Sequence, residues 1–152
     1  MSEAVSEPDF VSNFVLQKFR EGAGVLKILD KIDFHVEKPI DGGRADLVVD
    51  RGGKGMLVLE AKFKKKIARV ERDIEPRDSE VIVQAVNYAN IGGYPYYGTC
   101  NAKRIVLFKV IAGKKAVESE IASFEYTKTP YWAEEILEDM QDILEKLDKQ
   151  VS

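Results

Sequence analysis

Asp46, Glu60 and Lys62 are the residues of this chain whose types and spacing point most directly to chemistry. Asp46 precedes an apolar run, Leu47-Val48-Val49, and Glu60-Ala61-Lys62 closes a second one, Met56-Leu57-Val58-Leu59. Between them lies Asp50-Arg51-Gly52-Gly53-Lys54-Gly55, a stretch that favours positive φ and chain reversal. The two runs are therefore predicted to pair as neighbouring antiparallel strands. Two carboxylates and an ammonium gathered at the edge of a buried hairpin suit a divalent metal with a cationic helper. Such a set can cleave a phosphodiester.

Side chains alternate faces along a strand, so Met56, Val58, Glu60 and Lys62 are expected on one face and Leu57, Leu59 and Ala61 on the other. Both faces of Met56 to Leu59 are apolar, the mark of a strand covered on both sides. A carboxylate continuing such a strand is partly desolvated and needs a cation, a metal or a hydrogen-bonding partner. The plainer reading is a hairpin with ordinary charges at its ends, Lys62 pairing with Glu60 or Asp46.

These residues need a scaffold, and the chain has room for one. Its 152 residues and 45% hydrophobic content describe a single globular domain with a substantial core. No apolar run approaches a membrane span, and Met1-Ser2-Glu3-Ala4 lacks the basic and apolar regions of a signal peptide. The single Cys100 fits a reducing cytoplasm, and one His (His35) with one Cys argues against zinc held by those side chains. Oxygen ligands point instead to Mg²⁺ or Mn²⁺. The net charge of −3 does not describe a DNA-coating protein. Positive charge is nevertheless concentrated at Lys62, Lys64, Lys65, Lys66, Arg69 and Arg72, directly after the carboxylate motif. That stretch suits a phosphate backbone, or is a solvated charged loop.

Ser6-Glu7-Pro8-Asp9 can cap a helix, and Phe10, Val11, Phe14, Val15 and Phe19 follow at helical spacing. That helix is predicted to run about 12 to 14 residues and to stop near Glu21-Gly22. Val25 to Phe34 reads as a short helix or turn, Phe34 to Lys38 as a short strand, and Asp41-Gly42-Gly43 as a turn into the hairpin. Lys64 to Asp78, highly charged and containing Pro76, reads as a mobile loop or a frayed helix. Ser79 to Ile91 is helical, with Val81, Ile82, Ala85, Val86 and Ala89 inward and Gly92-Gly93 at its end. Strands are expected at Ile105 to Ile111 and Val117 to Tyr126, with Lys114 and Lys115 in the turn between them. Thr129-Pro130 opens a last helix with Trp132, Ile136, Met140, Ile143 and Leu147 on one stripe and Leu137 and Leu144 beside it. That stripe packs on the core or against a second copy, which leaves a homodimer through this helix open. The sum is an α/β sandwich, a central mixed β-sheet flanked by helices.

Gly43-Arg44-Ala45-Asp46-Leu47-Val48-Val49, Leu57-Val58-Leu59-Glu60-Ala61-Lys62 and Gln84-Ala85-Val86-Asn87-Tyr88-Ala89 together resemble the PD-(D/E)xK nuclease superfamily. The likeness is greatest to the N-terminal nuclease domain of type I restriction motor subunits and their free-standing relatives, with RecB-like nucleases more distant. It covers roughly Glu7 to Ile111, and Tyr94 to Asn101 with Lys103 to Ile111 resemble the strand-turn-strand that follows the helix. Ala45 stands where the family name has Pro. The resemblance implies a restriction-endonuclease-like sandwich over 1–152, with a core at about 7–111 and an added strand and amphipathic helix at about 117–149.

It also implies roles. Asp46, Glu60 and the Ala61 carbonyl would bind Mg²⁺, and Lys62 would orient water or stabilise charge on the phosphorane. Gln84, one helical turn from Tyr88, would reach the Lys or a phosphate, and Tyr88 would contact the DNA backbone or stack. Lys64, Lys65, Lys66, Arg69 and Arg44 are candidate DNA contacts. An acid on the first helix would complete the metal site: Glu7, or Glu21 in its place, with helix capping the competing role for Glu7. Glu37 resembles an acidic family position without an assigned role, and His35 reads as a packing or surface residue.

The function these features imply is a Mg²⁺-dependent DNA nuclease, endo- or exonucleolytic, in the cytoplasm and with no membrane partner. The competing classes are a catalytically silent nucleic-acid-binding or assembly subunit and a purely structural interaction domain.

Overall fold

The computed structural model describes residues 7–40, 43–67, 70–73, 75–111 and 119–140. The chain opens with one helical run in three pieces: α1 (Glu7–Phe10), a π-helical turn (Val11–Val15) and α2 (Leu16–Val25). Val11, Val15, Leu16, Phe19 and Ala23 form its buried stripe. The run passes the predicted stop at Glu21-Gly22 because Gly22 serves packing. A Cβ there would lie 2.7 Å from Glu134 Oε1 and 3.2 Å from the Glu134 nitrogen, so glycine lets the last helix approach. The true stop is a Schellman closure: Ile28 N–H donates to the Ala23 carbonyl at 2.9 Å, Lys27 N–H to that of Gly24 at 3.1 Å, and Lys27 has φ +61°. The N-cap candidate Ser6 lies outside the described residues.

A 3₁₀ turn (Leu29–Lys31) leads into β1 (Ile32–Ile40), longer than the strand predicted from Phe34. β2 (Gly43–Arg51) and β3 (Lys54–Ala61) form the expected hairpin. Arg51 pairs with Lys54 across Gly52 (φ +58°) and Gly53 (φ +81°), the two positive φ values that a two-residue turn needs. Further strands are β4 (Lys64–Ile67), β5 (Val70–Asp73), β6 (Tyr96–Cys100), β7 (Arg104–Lys109) and β8 (Glu120–Glu125), with α3 (Ser79–Gly92) before β6. A last helix, α4, covers 132–140.

Six strands form one sheet in the order β1-β2-β3-β6-β7-β8. β3 is antiparallel to β2 and parallel to β6, so the sheet is mixed, and α3 supplies part of the crossover that parallel pairing requires. One face carries α2 and α4 over Leu47, Val49, Leu57, Leu59, Ala61, Ile105 and Leu107. The other carries α3, whose Ile82, Ala85 and Ala89 pack with Val48, Val58, Tyr97 and Phe108. On the last helix, Trp132, Ile136 and Met140 of the expected stripe, with Leu137 beside it, are buried in the core on the α2 face of the sheet, beside Phe14, Phe19 and Tyr126. Ile143, Leu144 and Leu147 lie outside the described residues.

Two expectations are corrected. Met56 packs with Leu57, Leu59 and Ala61 rather than with Val58 and Glu60. The register slips from Val49↔Leu57 to Asp50↔Gly55, leaving Met56 as the extra residue of a bulge, which reverses the alternation. Within the charged stretch after Lys62, residues 64–67 and 70–73 are neither a loop nor a helix but a second sheet, β4 paired antiparallel with β5. The turns expected at Asp41-Gly42 and at Lys114-Lys115, and Val117, lie outside the described residues.

Candidate active site

The β2–β3 ladder ends at Leu47↔Leu59, and the two carboxylates take over where it stops. The Asp46 N–H donates to Glu60 Oε1 at 3.3 Å, and the Ala61 N–H donates to Asp46 Oδ2 at 2.7 Å. Each strand end is thereby closed by the other strand's side chain, so backbone groups that would otherwise lack partners are satisfied. β6 holds the other side of β3. Glu60 is in register with Thr99 and Ala61 with Cys100, and the Lys62 N–H donates to the Cys100 carbonyl at 3.0 Å. Asp46, Glu60, Ala61 and Lys62 are thus brought together at one end of the central strand.

Glu60 is only 1% exposed. Burial, reinforced by the charge of Asp46, pushes its carboxyl up to about 8, and the Asp46 N–H hydrogen bond and then Lys62 only partly offset this. Two carboxylates in mutual contact, one of them desolvated, form a site that a bound cation would relieve. The two carboxylates, with the adjacent Ala61 carbonyl if it joins them, would make an all-oxygen donor set, the chemistry that fits Mg²⁺ or Mn²⁺. Among the described residues no three His, Cys, Asp or Glu side chains converge, so no third acid joins the pair there.

The backbone of Glu7 opens α1, while its side chain lies outside the described residues. Phe10, one turn later, packs on Phe63 with ring centroids 5.1 Å apart, which brings α1 to the residue after Lys62. Glu21 pairs with Lys18 at 3.6 Å and lines a groove against α4 with Tyr131 and Glu134. It is therefore occupied elsewhere, because α2 turns it toward α4.

α3 lies over β3 and β6, with Gln84 and Tyr88 partly buried one turn apart. Tyr88 reaches the start of β2: a Cβ on Gly43 would collide with its hydroxyl. Gly43 therefore seats Tyr88 three residues before Asp46. Arg44 is exposed on β2. Lys64, Lys65 and Lys66 form β4, their side chains outside what is described, and Arg69 lies outside the described residues altogether.

A second carboxylate on β2 shows the contrast. Asp50, at the hairpin end of the strand, has His35 Nε2 at 3.2 Å and Lys38 Nζ at 3.5 Å from its Oδ2. His35 is thus a partly exposed partner of Asp50, away from the Asp46–Glu60 pair.

Two contacts and one backbone conformation were not legible in the sequence. Thr99 Oγ1 donates to the carbonyl of Pro76, tying the segment before α3 to the register partner of Glu60. Glu37 takes φ +52° opposite Asp46, between residues paired with Leu47 and Ala45. Gly43 makes room for Tyr88.

No protein-family model and no curated protein matches the chain. Among solved structures, the type IIG restriction endonuclease BpuSI superposes with a TM-score of 0.63 at 15% identity, over 95% of this chain and 18% of its own. This chain therefore spans less than a fifth of that protein's length. The likeness is to a type IIG enzyme and does not single out type I motor subunits. At this identity it concerns architecture: the chain has a restriction-endonuclease-like fold.

Proposed function

We propose that this chain is a Mg²⁺-dependent DNA nuclease, with Mn²⁺ able to substitute. The observation that carries the reading is the reciprocal closure of Asp46 and Glu60, which sets two carboxyl groups together beside Lys62 at the end of a buried strand. A restriction-endonuclease-like fold around that pair supports it.

In this reading Asp46, Glu60 and the Ala61 carbonyl hold the ion, and Glu7 is the proposed further ligand. The ion, when bound, supplies an acidified water and a polarised phosphate. Lys62 orients that water and stabilises charge building on the phosphate oxygens. Gln84 aligns Lys62 or a phosphate oxygen, and Tyr88 contacts the DNA backbone. Arg44 and the lysines of β4 add positive charge around the strand to be cut.

The test is incubation with labelled single-stranded, duplex and branched DNA in Mg²⁺, Mn²⁺ or chelator, alongside Asp46→Ala and Lys62→Ala. The reading expects metal-dependent cleavage that both substitutions abolish or cripple. Cleavage that survives in both variants overturns it, and binding with no cleavage identifies a catalytically silent DNA-binding subunit instead.

A further inference from the structure

α2 and α4 come close where Gly22 admits Glu134, and an open groove of about 550 Å³ lies between the two helices. Lys18, Glu21 and Val25 line it from α2, at steps of three and four residues. Tyr131, Glu135 and Glu138 line the other side at steps of four and three. The Glu135 N–H donates to the Tyr131 carbonyl at 3.1 Å, so Tyr131 belongs to the opening turn of α4. Each stripe is one helix face about two turns long, roughly 10 Å.

Val25 and Tyr131 are 71% and 69% exposed, more than any other large apolar side chain among the described residues, and both lie in this groove. Leu26 and Pro130 extend the apolar surface. Four carboxylates, Glu21, Glu134, Glu135 and Glu138, surround it. The single ammonium there, Lys18, is engaged by Glu21 at 3.6 Å. Among the described residues no cation pairs with Glu134, Glu135 or Glu138. Apolar side chains left in water inside a rim of one charge mark an interaction surface.

The chemistry of the rim narrows the occupant. It repels phosphate, whether of a nucleic acid or of an anionic lipid surface. A second copy seated on the same face would set these carboxylates against their own kind. No three carboxylates converge as a metal site among the described residues. Both walls are helical, so an extended segment finds no strand edge to pair with, whereas a helix arrives with its own backbone satisfied. We infer that this groove receives a basic amphipathic helix of a partner protein. Its apolar residues at i, i+3 or i+4, and i+7 cover Val25 and Tyr131, and its Lys or Arg side chains face the four carboxylates. The inference does not rest on the nuclease reading, because no residue of the groove belongs to the Asp46–Glu60 site.

The test uses a labelled, end-capped helical peptide with Leu at i, i+3, i+4 and i+7 and Lys on both flanks, and a second peptide with Glu in place of each Lys. Fluorescence polarisation follows binding to the wild type, Tyr131→Ser, Glu135→Lys/Glu138→Lys and Asp30→Lys/Asp33→Lys, the last a charge-matched control outside the groove. The Lys peptide binds the wild type saturably, and raising salt from about 50 to 200 mM weakens it by screening the rim. Tyr131→Ser and Glu135→Lys/Glu138→Lys each lose about tenfold or more, the cost of an anchor or of reversed rim charge. The control binds like the wild type, and Glu135→Lys/Glu138→Lys gains affinity for the Glu peptide. No saturable binding of the Lys peptide, equal loss in the control, or equal affinity of the wild type for both peptides overturns the inference. Sedimentation of the wild type alone completes the test: self-association that Tyr131→Ser abolishes would seat a second copy in the groove and overturn it as well.

Discussion

Asp46 and Glu60 each close the other's strand: the Asp46 N–H is bound by Glu60, and the Ala61 N–H by Asp46. The side chains that gather negative charge also finish the β2–β3 hairpin. A structural role and the proposed chemical one therefore overlap in these two residues, and substitutions that keep hydrogen bonding while changing charge are the informative ones.

Mg²⁺ is expected to raise the thermal midpoint of the wild type, because a ligand that binds only the folded state stabilises it. At a hundredfold excess over the dissociation constant the gain is about 2.7 kcal/mol. Asp46→Asn keeps an acceptor for the Ala61 N–H but loses the charge, so its midpoint should not respond to Mg²⁺. Scanning calorimetry with and without the ion reads this directly, and an equal response in both proteins would place the ion elsewhere.

Stability of the metal-free protein should fall with rising pH. Glu60 titrates at about 8 in the folded chain against an ordinary value of 4.5, since burial and Asp46 disfavour its charged form. Between these values the folded state holds a proton that the unfolded chain has released, so stability declines through that window and levels off above it. Glu60→Gln should flatten the decline. Urea unfolding in chelator at a series of pH values tests this, and an identical slope in wild type and variant would remove Glu60 as its source.

Lys62→Ala should cut the cleavage rate about a hundredfold to a thousandfold, the usual cost of one transition-state stabiliser. Its backbone N–H still bonds to Cys100, and the hydrogen bonds that join Asp46 and Glu60 do not involve its side chain. The thermal shift with Mg²⁺ should therefore survive. A variant that loses metal binding along with rate would make Lys62 a structural partner of the pair instead.

Gly43→Ala should destabilise the chain by about 1–3 kcal/mol through overpacking against Tyr88. In a Tyr88→Ala background the same change should cost little, since the obstructing ring is gone. A double-mutant cycle by denaturant unfolding measures the coupling, and additive effects would show that the two positions do not meet.

Trp132→Ala should cost about 3–5 kcal/mol, because the indole is fully buried against Phe14, Phe19 and Tyr126. The first turns of α4 are used within the chain's own core. The unfolding midpoint should accordingly not depend on protein concentration, and a marked dependence would point to dimerisation through the remainder of that helix.

Much of the scaffold could be read locally. The β2–β3 hairpin follows from two apolar runs around Gly52-Gly53, and α3 from the spacing of Val81, Ile82, Ala85 and Ala89. Local rules failed where a residue answers to a distant neighbour. Gly22 reads as a helix stop, yet it is the point where α4 comes close to α2. Met56 fits the alternation of its strand until the bulge opposite Asp50 reverses it. The ribbon at Lys64 to Asp73 has no long alternating apolar pattern, so its charges concealed a strand pair.

The candidate site divides in the same way. The types and order of Asp46, Glu60, Lys62, Gln84 and Tyr88 were set by the sequence alone, together with the oxygen chemistry they imply. Only the tertiary structure decided that Asp46 and Glu60 cap each other, that Gly43 seats Tyr88, and that β4 pairs with β5 apart from the central sheet. Composition and periodicity report what a residue is and which way its own element turns it. Register and packing depend on strands and helices far apart in the chain, and those relationships exist only once the chain has folded.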